Sequence, residues 1–176
     1  NKGYIFGDEK DIVKVNELAK ILDQHQIKLI ALKGDVSHNK KTFKKESSYI
    51  IPGNQRNIKL VEAMFDKRSQ FTDSLFYDIS SWSLDLAFNV DFEPYNASSK
   101  EENYVTKIES QWRVSSKSEI AYIFESNAYY TPKVLYQLLK KDIRVKVAKK
   151  PLSYNEQVFS YGSLVIPVQG QALSSD

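Results

Sequence analysis

A chain of 176 residues with 41% hydrophobic and 12% aromatic content is long enough to bury one sizeable core, and its composition is that of a globular protein rather than a disordered one. Its 25 basic and 22 acidic residues leave a net charge of +3, too near balance to imply a nucleic-acid partner. The absence of cysteine excludes disulfides, thiolate metal sites and cysteine nucleophiles.

In chain order, Tyr4-Ile5-Phe6 is a short apolar, β-prone run ending at Gly7, as expected of a strand covered on both faces. Acidic residues over 8–11 favour a helix N-terminus, and Ile12, Val15, Leu18, Ala19 and Leu22 then recur at the spacing of one helical face. A second strand is predicted over 27–32. Ser37-His38-Asn39-Lys40 has turn composition, and the β-prone stretch 42–51 pairs back as a hairpin. Ile58, Val61, Met64 and Phe65 mark another helical face, and a short helix is predicted over 79–88. Residues 91–102 read as a loop and 104–114 as a weakly alternating strand. A strand over 120–124 follows, then a helix with Pro132 in its first turn and Val134, Leu135, Leu138 and Leu139 on one face. A strand over 143–148, a turn at Tyr154-Asn155-Glu156-Gln157 and a closing strand over 162–168 complete the chain.

Two of these stretches follow one template. Ile27 to Phe43 aligns without a gap to Ile143 to Phe159, with Ile27/Ile143, Lys33/Lys149, Ser37/Ser153, Asn39/Asn155 and Phe43/Phe159 identical. Chance would give about one identity, so a duplicated supersecondary unit is the better explanation. Tyr4-Ile5-Phe6-Gly7 matches Tyr122-Ile123-Phe124-Glu125, and Tyr49-Ile50-Ile51-Pro52 matches Leu164-Val165-Ile166-Pro167. The expected architecture is a single α/β domain over 1–176: repeat one at 3–55, a helical insert at 56–103 and repeat two at 104–171. A strand, helix, strand and hairpin in each repeat predict a mixed, mainly parallel sheet with helices on its faces. The opening Asn1 and the closing Leu173-Ser174-Ser175-Asp176 read as the ends of a piece of something longer.

Most chemical motifs are absent. His25 and His38 are the two histidines, in no metal-ligand pairing, and no glycine-rich dinucleotide or phosphate loop follows the first strand. Tyr161-Gly162-Ser163-Leu164-Val165 lacks the small residues of a nucleophile elbow, and its glycine suits a hairpin or bulge. Lys40-Lys41 with Lys44-Lys45, and Lys140-Lys141 with Lys149-Lys150, fit solvated turns and helix ends. Trp82 and Trp112 fit core or interface positions. The candidate site is the loop after the 120–124 strand, where Glu125, Asn127, Tyr129 and Tyr130 place a carboxylate, an amide and two phenols at a strand's carboxyl end, where open α/β sheets bind ligands. The same residues have a purely structural explanation, with the tyrosines packed on the sheet edge and Glu125 and Asn127 capping the helix.

Three stretches carry a family likeness: Tyr49-Ile50-Ile51-Pro52-Gly53-Asn54-Gln55, then Lys59-Leu60-Val61-Glu62-Ala63-Met64-Phe65-Asp66-Lys67-Arg68, then Phe71-Thr72-Asp73-Ser74-Leu75-Phe76-Tyr77-Asp78-Ile79-Ser80-Ser81-Trp82 with Leu86-Ala87-Phe88-Asn89. With Leu135-Tyr136-Gln137-Leu138-Leu139 and Gly162-Ser163-Leu164-Val165-Ile166-Pro167, they resemble the region downstream of the catalytic domain in large zinc carboxypeptidases of Bacteroidetes-type bacteria. The resemblance implies a carboxypeptidase A-like parent, periplasmic or at the cell surface, whose accessory region has a class I glutamine amidotransferase-like, flavodoxin-like fold. It implies a noncatalytic role for this chain, partnered with the parent's peptidase domain and a peptide substrate, with the zinc held in that other domain. No catalytic or metal residue carries over, because the zinc site's His-x-x-Glu pair and the amidotransferase cysteine are both missing here. A peptide- or glycan-binding module with its site at the Glu125 loop is the alternative.

Overall fold

The computed structural model describes residues 2–67, 83–96, 104–108, 117–154 and 157–171. The chain divides into two compact units, residues 1–111 and 112–176, and the strands and helix of each repeat copy build one of them.

In the first unit, β1 (Tyr4–Gly7) leads to α1 (Ile12–Gln24), β2 (Ile30–Ala31), the hairpin β3 (Val36–His38) and β4 (Lys41–Phe43), a 3₁₀ turn at Lys45–Ser47, and β5 (Ser48–Ile51). Then come α2 (Ile58–Met64), α3 (Leu84–Phe88) and β6 (Asp91–Pro94). Helix α1 starts where the Asp11 carboxylate accepts the Lys14 N–H at 3.1 Å. It ends at Gln26, held at φ +57°, where the Ile27 N–H reaches back to the Leu22 carbonyl at 3.0 Å. Its predicted face is buried: Val15, Leu18, Ala19 and Leu22 pack with Phe6, Ile27, Ile51, Val61 and Phe65 on one side of the sheet. Ile5, Ile30, Leu32, Phe43 and Ile50 fill the other side, where strand alternation sends every second residue.

The sheet corrects the expected fold class. Its order is β2-β5-β1-β6, and each ladder is antiparallel, so the mainly parallel, flavodoxin-like sheet does not form. Strands β1 and β2 do point the same way, but β5 lies between them. A helical crossover fixes the direction of the strands it joins, not the number of positions it skips. Here it skips one, and the strand returning from the hairpin fills the gap and gains backbone partners on both edges.

Two further expectations change. Residues 91–94 form β6 instead of loop, because the free edge of β1 supplies backbone partners and Phe92 stacks on Tyr4 and Phe65 at centroid distances of 4.9 and 4.1 Å. The predicted strand over 27–32 shrinks to two residues. The Gln55 side chain takes up the backbone of Lys28 instead, accepting its N–H at 2.8 Å, while its amide lies 3.3 Å from the Lys28 carbonyl and 2.8 Å from that of Pro52. Tyr104 makes one bridge to Ile30, and Val105 donates to the Leu29 carbonyl. The predicted helix is seen over 84–88; residues 79–82 and 109–114 lie outside the described residues, as do Trp82 and Trp112.

The second unit contains β7 (Ala121–Phe124), α4 (Thr131–Lys140), β8 (Lys146–Val147), the hairpin β9 (Leu152–Tyr154) and β10 (Gln157–Phe159), and β11 (Leu164–Pro167), with sheet order β7-β11-β8. Aligned positions of the two copies pair in the same register. Ile50 lies opposite Ile30 and Ile5, and its counterpart Val165 lies opposite theirs, Lys146 and Ile123. The helix ends match too, with Asp142 at φ +57° and the Ile143 N–H on the Leu138 carbonyl at 3.0 Å. The glutamine clamp recurs atom for atom. Gln171 accepts the Arg144 N–H at 2.8 Å, and its amide lies 3.0 Å from the Arg144 carbonyl and 2.6 Å from that of Pro167.

Packing is where the copies part. Ile30, Leu32 and Ile50 become Lys146, Ala148 and Val165, which removes volume and one apolar side chain from the hairpin side of the sheet. Among the described residues, Ala148, Phe159 and Leu164 are the buried hydrophobics of this unit, and Tyr136, Leu139, Val147, Tyr154, Val158 and Tyr161 are more than half exposed.

Candidate functional site

Strand β7 ends at Phe124, and Glu125 is the first residue beyond it. The half-buried Glu125 side chain turns back across the sheet end. Its Oε1 accepts the Ser160 N–H at 3.1 Å, and its Oε2 lies 3.0 Å from the hydroxyl of the fully buried Ser163. The Ser163 hydroxyl is also 2.8 Å from the Ser160 carbonyl, within a tight turn that Gly162 completes at φ +90°. The Glu125 carbonyl accepts the Thr131 hydroxyl at 2.7 Å, which ties the loop to the start of α4. Glu125 and Asn127 do not cap that helix: Tyr130 is the cap residue, no side-chain cap bond forms, and Pro132 opens the first turn.

The other candidate residues lie along the same loop. Asn127 is exposed and Tyr129 is 40% exposed. Tyr129 meets Tyr130 edge-on at 5.0 Å, and Lys133 Nζ stands 5.3 Å above the Tyr130 ring. The two tyrosines therefore pair with each other in a loop that also carries an exposed amide, while the Glu125 carboxylate bonds to Ser160 and Ser163.

Compared with known protein families, curated proteins and solved structures, the chain matches none.

The corresponding end of the first unit holds a feature the sequence did not disclose. An open cavity of about 480 Å³ is lined by Glu9, Lys10, Ile12, Asp35, Lys44, Lys45, Glu46 and Ser47. Its charges pair with each other. Lys44 Nζ lies 3.0 Å from Asp35 and 4.0 Å from Glu9, and the Lys45 N–H donates to Asp35 at 2.9 Å. The Lys45 N–H and then the Lys44 ammonium hold the Asp35 carboxyl below its usual range, and Asp35 in turn raises Lys44. The lysine cluster and the Gly7-Asp8-Glu9-Lys10 loop were each visible in the sequence; their meeting required the hairpin to fold back over the helix start.

Behind this groove, Asp8 receives the Lys10 and Asp11 N–H groups at 2.8 and 2.7 Å and the Lys14 ammonium at 2.7 Å. Burial pushes the Asp8 carboxyl up, but those donors outweigh it and the net shift is downward.

The His38 Nε2 is 2.8 Å from the Pro94 carbonyl, with its ring edge-on to Tyr95, and His25 sits exposed at the end of α1. Among the described residues no three histidine or carboxylate groups gather as a metal site, and no helix is long and apolar enough to cross a membrane.

Proposed function

We propose that this chain is a noncatalytic accessory region of a larger exported zinc carboxypeptidase, supporting the peptidase domain or positioning its substrate. The observation that carries this is the use made of Glu125. The carboxylate at the carboxyl end of β7, in the place where an α/β sheet would present a reactive group, bonds to Ser160 and Ser163 and holds the chain's own return turn. The resemblance of the Tyr49 to Asn89 stretch supports the parentage. In the parent, zinc would polarise the scissile carbonyl and activate water within the other domain, and no step of that chemistry runs through residues of this chain.

The test is a carboxypeptidase assay on the isolated chain with added zinc, for which no release of C-terminal amino acids is expected; zinc-dependent release would overturn the proposal. The full reading frame is expected to carry a His-x-x-Glu pair upstream, and a frame without one would overturn the parentage.

A second reading has its own support. Tyr129, 40% exposed, stands in a loop with exposed Asn127, a phenol and an amide that suit a sugar or peptide. If the loop binds such a ligand, Tyr129→Ala should abolish retention on a glycan or peptide array while Glu125→Gln leaves it intact. Retention unchanged by Tyr129→Ala would sink this reading.

A further inference from the structure

We propose that the outer edge of β7 is a strand-addition site that takes an extended, non-acidic segment of a partner protein as the next strand of the second unit's sheet. The repeat itself shows what such an edge holds. In the first unit the equivalent edge, that of β1, is filled by β6, with Ile5 opposite Glu93 and Phe6 opposite Phe92. The Tyr95 N–H on the Gly3 carbonyl, at 2.9 Å, fixes the phase of that ladder, so Gly3, Ile5 and Gly7 turn their backbone groups toward β6.

The second unit has the same phase. The Val168 N–H on the Ile120 carbonyl, at 2.8 Å, turns Ile120, Tyr122 and Phe124 toward β11 and leaves Ala121 and Ile123 facing outward. The Ala121 N–H meets the Ser118 hydroxyl at 3.3 Å. Ile123, the counterpart of Ile5, faces an edge at which no strand pairs among the described residues. Exposure follows the same division: Ile5 and Phe6 are fully buried, whereas Ile123 and Phe124 are half-buried.

The partner's chemistry comes from the residues that differ. Strand β6 is acidic, and Lys41 holds it by ion pairs of 2.9 Å to Asp91 and 2.8 Å to Glu93, with Asn39 adding a 3.1 Å bond to Glu93. In the second unit the place of Lys41 is taken by Gln157 and that of His38 by Tyr154, both exposed. Glu125 replaces the Gly7 that faces Asp91. An acidic segment loses its cation and meets a like charge, so the site selects against it. Tyr122 keeps the position of Tyr4, on which Phe92 stacks, and favours an aromatic residue in the added strand. None of this depends on the parentage of the chain.

The test uses the full 176-residue chain and two synthetic heptapeptides, Val-Asp-Phe-Glu-Pro-Tyr-Asn, which copies residues 90–96, and Val-Thr-Phe-Gln-Pro-Tyr-Asn, which lacks the acids. The acid-free peptide should bind and slow hydrogen exchange at the Ile123 amide by about tenfold or more, with the acidic copy weaker by a similar factor. N-methylation at the peptide position that copies Glu93 removes the hydrogen facing Ile123 and should abolish binding without touching the protein. Absence of binding at millimolar peptide, a slow Ile123 amide in the free chain, or equal binding by the N-methylated peptide overturns the proposal.

Discussion

Gly7 and Glu125 occupy one place in the two copies, and their difference decides the fate of the serine beside them. A Cβ on Gly7 would lie 2.1 Å from the Ser48 Oγ and 2.7 Å from the Ser47 carbonyl, so the site admits glycine alone. Beneath it Ser48 is buried with no hydrogen bond to its hydroxyl, whereas its counterpart Ser163 is within reach of Glu125. Ser48→Ala should therefore raise stability by about 1 kcal/mol, and Ser163→Ala should lower it by about 1–2 kcal/mol, because removing one partner leaves Glu125 short of a donor. Urea titration of each variant checks the opposed signs. Asp8 gives a pH dependence of known direction. Its carboxyl is lowered in the folded state, so its contribution is complete above the ordinary carboxylate pKa of about 4 and is lost as pH falls through the lower folded value. Lys14→Met should cost about 2 kcal/mol at neutral pH and flatten this acid limb, measured as the urea midpoint between pH 6 and pH 2.

At the level of elements, both long helices end at a non-glycine residue in left-handed backbone, Gln26 and Asp142 at φ +57°. Glycine is the residue that this position accepts without strain, so Gln26→Gly and Asp142→Gly should each stabilise by about 1 kcal/mol. A fall in melting temperature in either variant would contradict that assignment. The helices themselves were legible in the sequence, since the α1 face from Ile12 to Leu22 is written at helical spacing and Asp11 sits where a cap belongs. Strand pairing was not: the sequence suggested parallel neighbours, whereas every ladder among the described residues is antiparallel. Nor was the interposition of β5, because nothing local in Ser48 to Ile51 says which two edges it will join. Strand β6 escaped notice for a related reason: Asp91-Phe92-Glu93-Pro94 has loop composition, and its strand character comes from Tyr4 and Phe65, residues far away in sequence. The candidate loop does follow β7, but the partners of Glu125, Ser160 and Ser163, lie 35 and 38 residues on and are brought near only when β11 closes the sheet.

For the whole molecule, the two units share a plan and differ in how far it is filled. Among the described residues, both apolar clusters belong to the first unit, where α2, Val90 and β6 close over α1 and β1. In the second, the α4 face of Val134, Leu135 and Leu138 is half-buried where Leu18, Ala19 and Leu22 are fully covered. Burial of a large aliphatic side chain contributes about 1.5–3 kcal/mol, so the shortfall over several positions is large against the stability of a small domain. Unfolding in urea should proceed in two steps, with the amides of β7, β8 and β11 exchanging before those of β1 and β5. A single transition with uniform amide protection would show that the units are energetically one.

The duplicated glutamine clamp makes the chain its own matched experiment. Gln55→Ala and Gln171→Ala delete the same three contacts, on Lys28 and Pro52 in one place and on Arg144 and Pro167 in the other. The bond set and its geometry match in the two places, so any difference between the two losses reports what surrounds the clamp. A molecule that carries two copies of one bond set in a filled and an open setting thus offers a direct reading of how much a hydrogen bond owes to its neighbours.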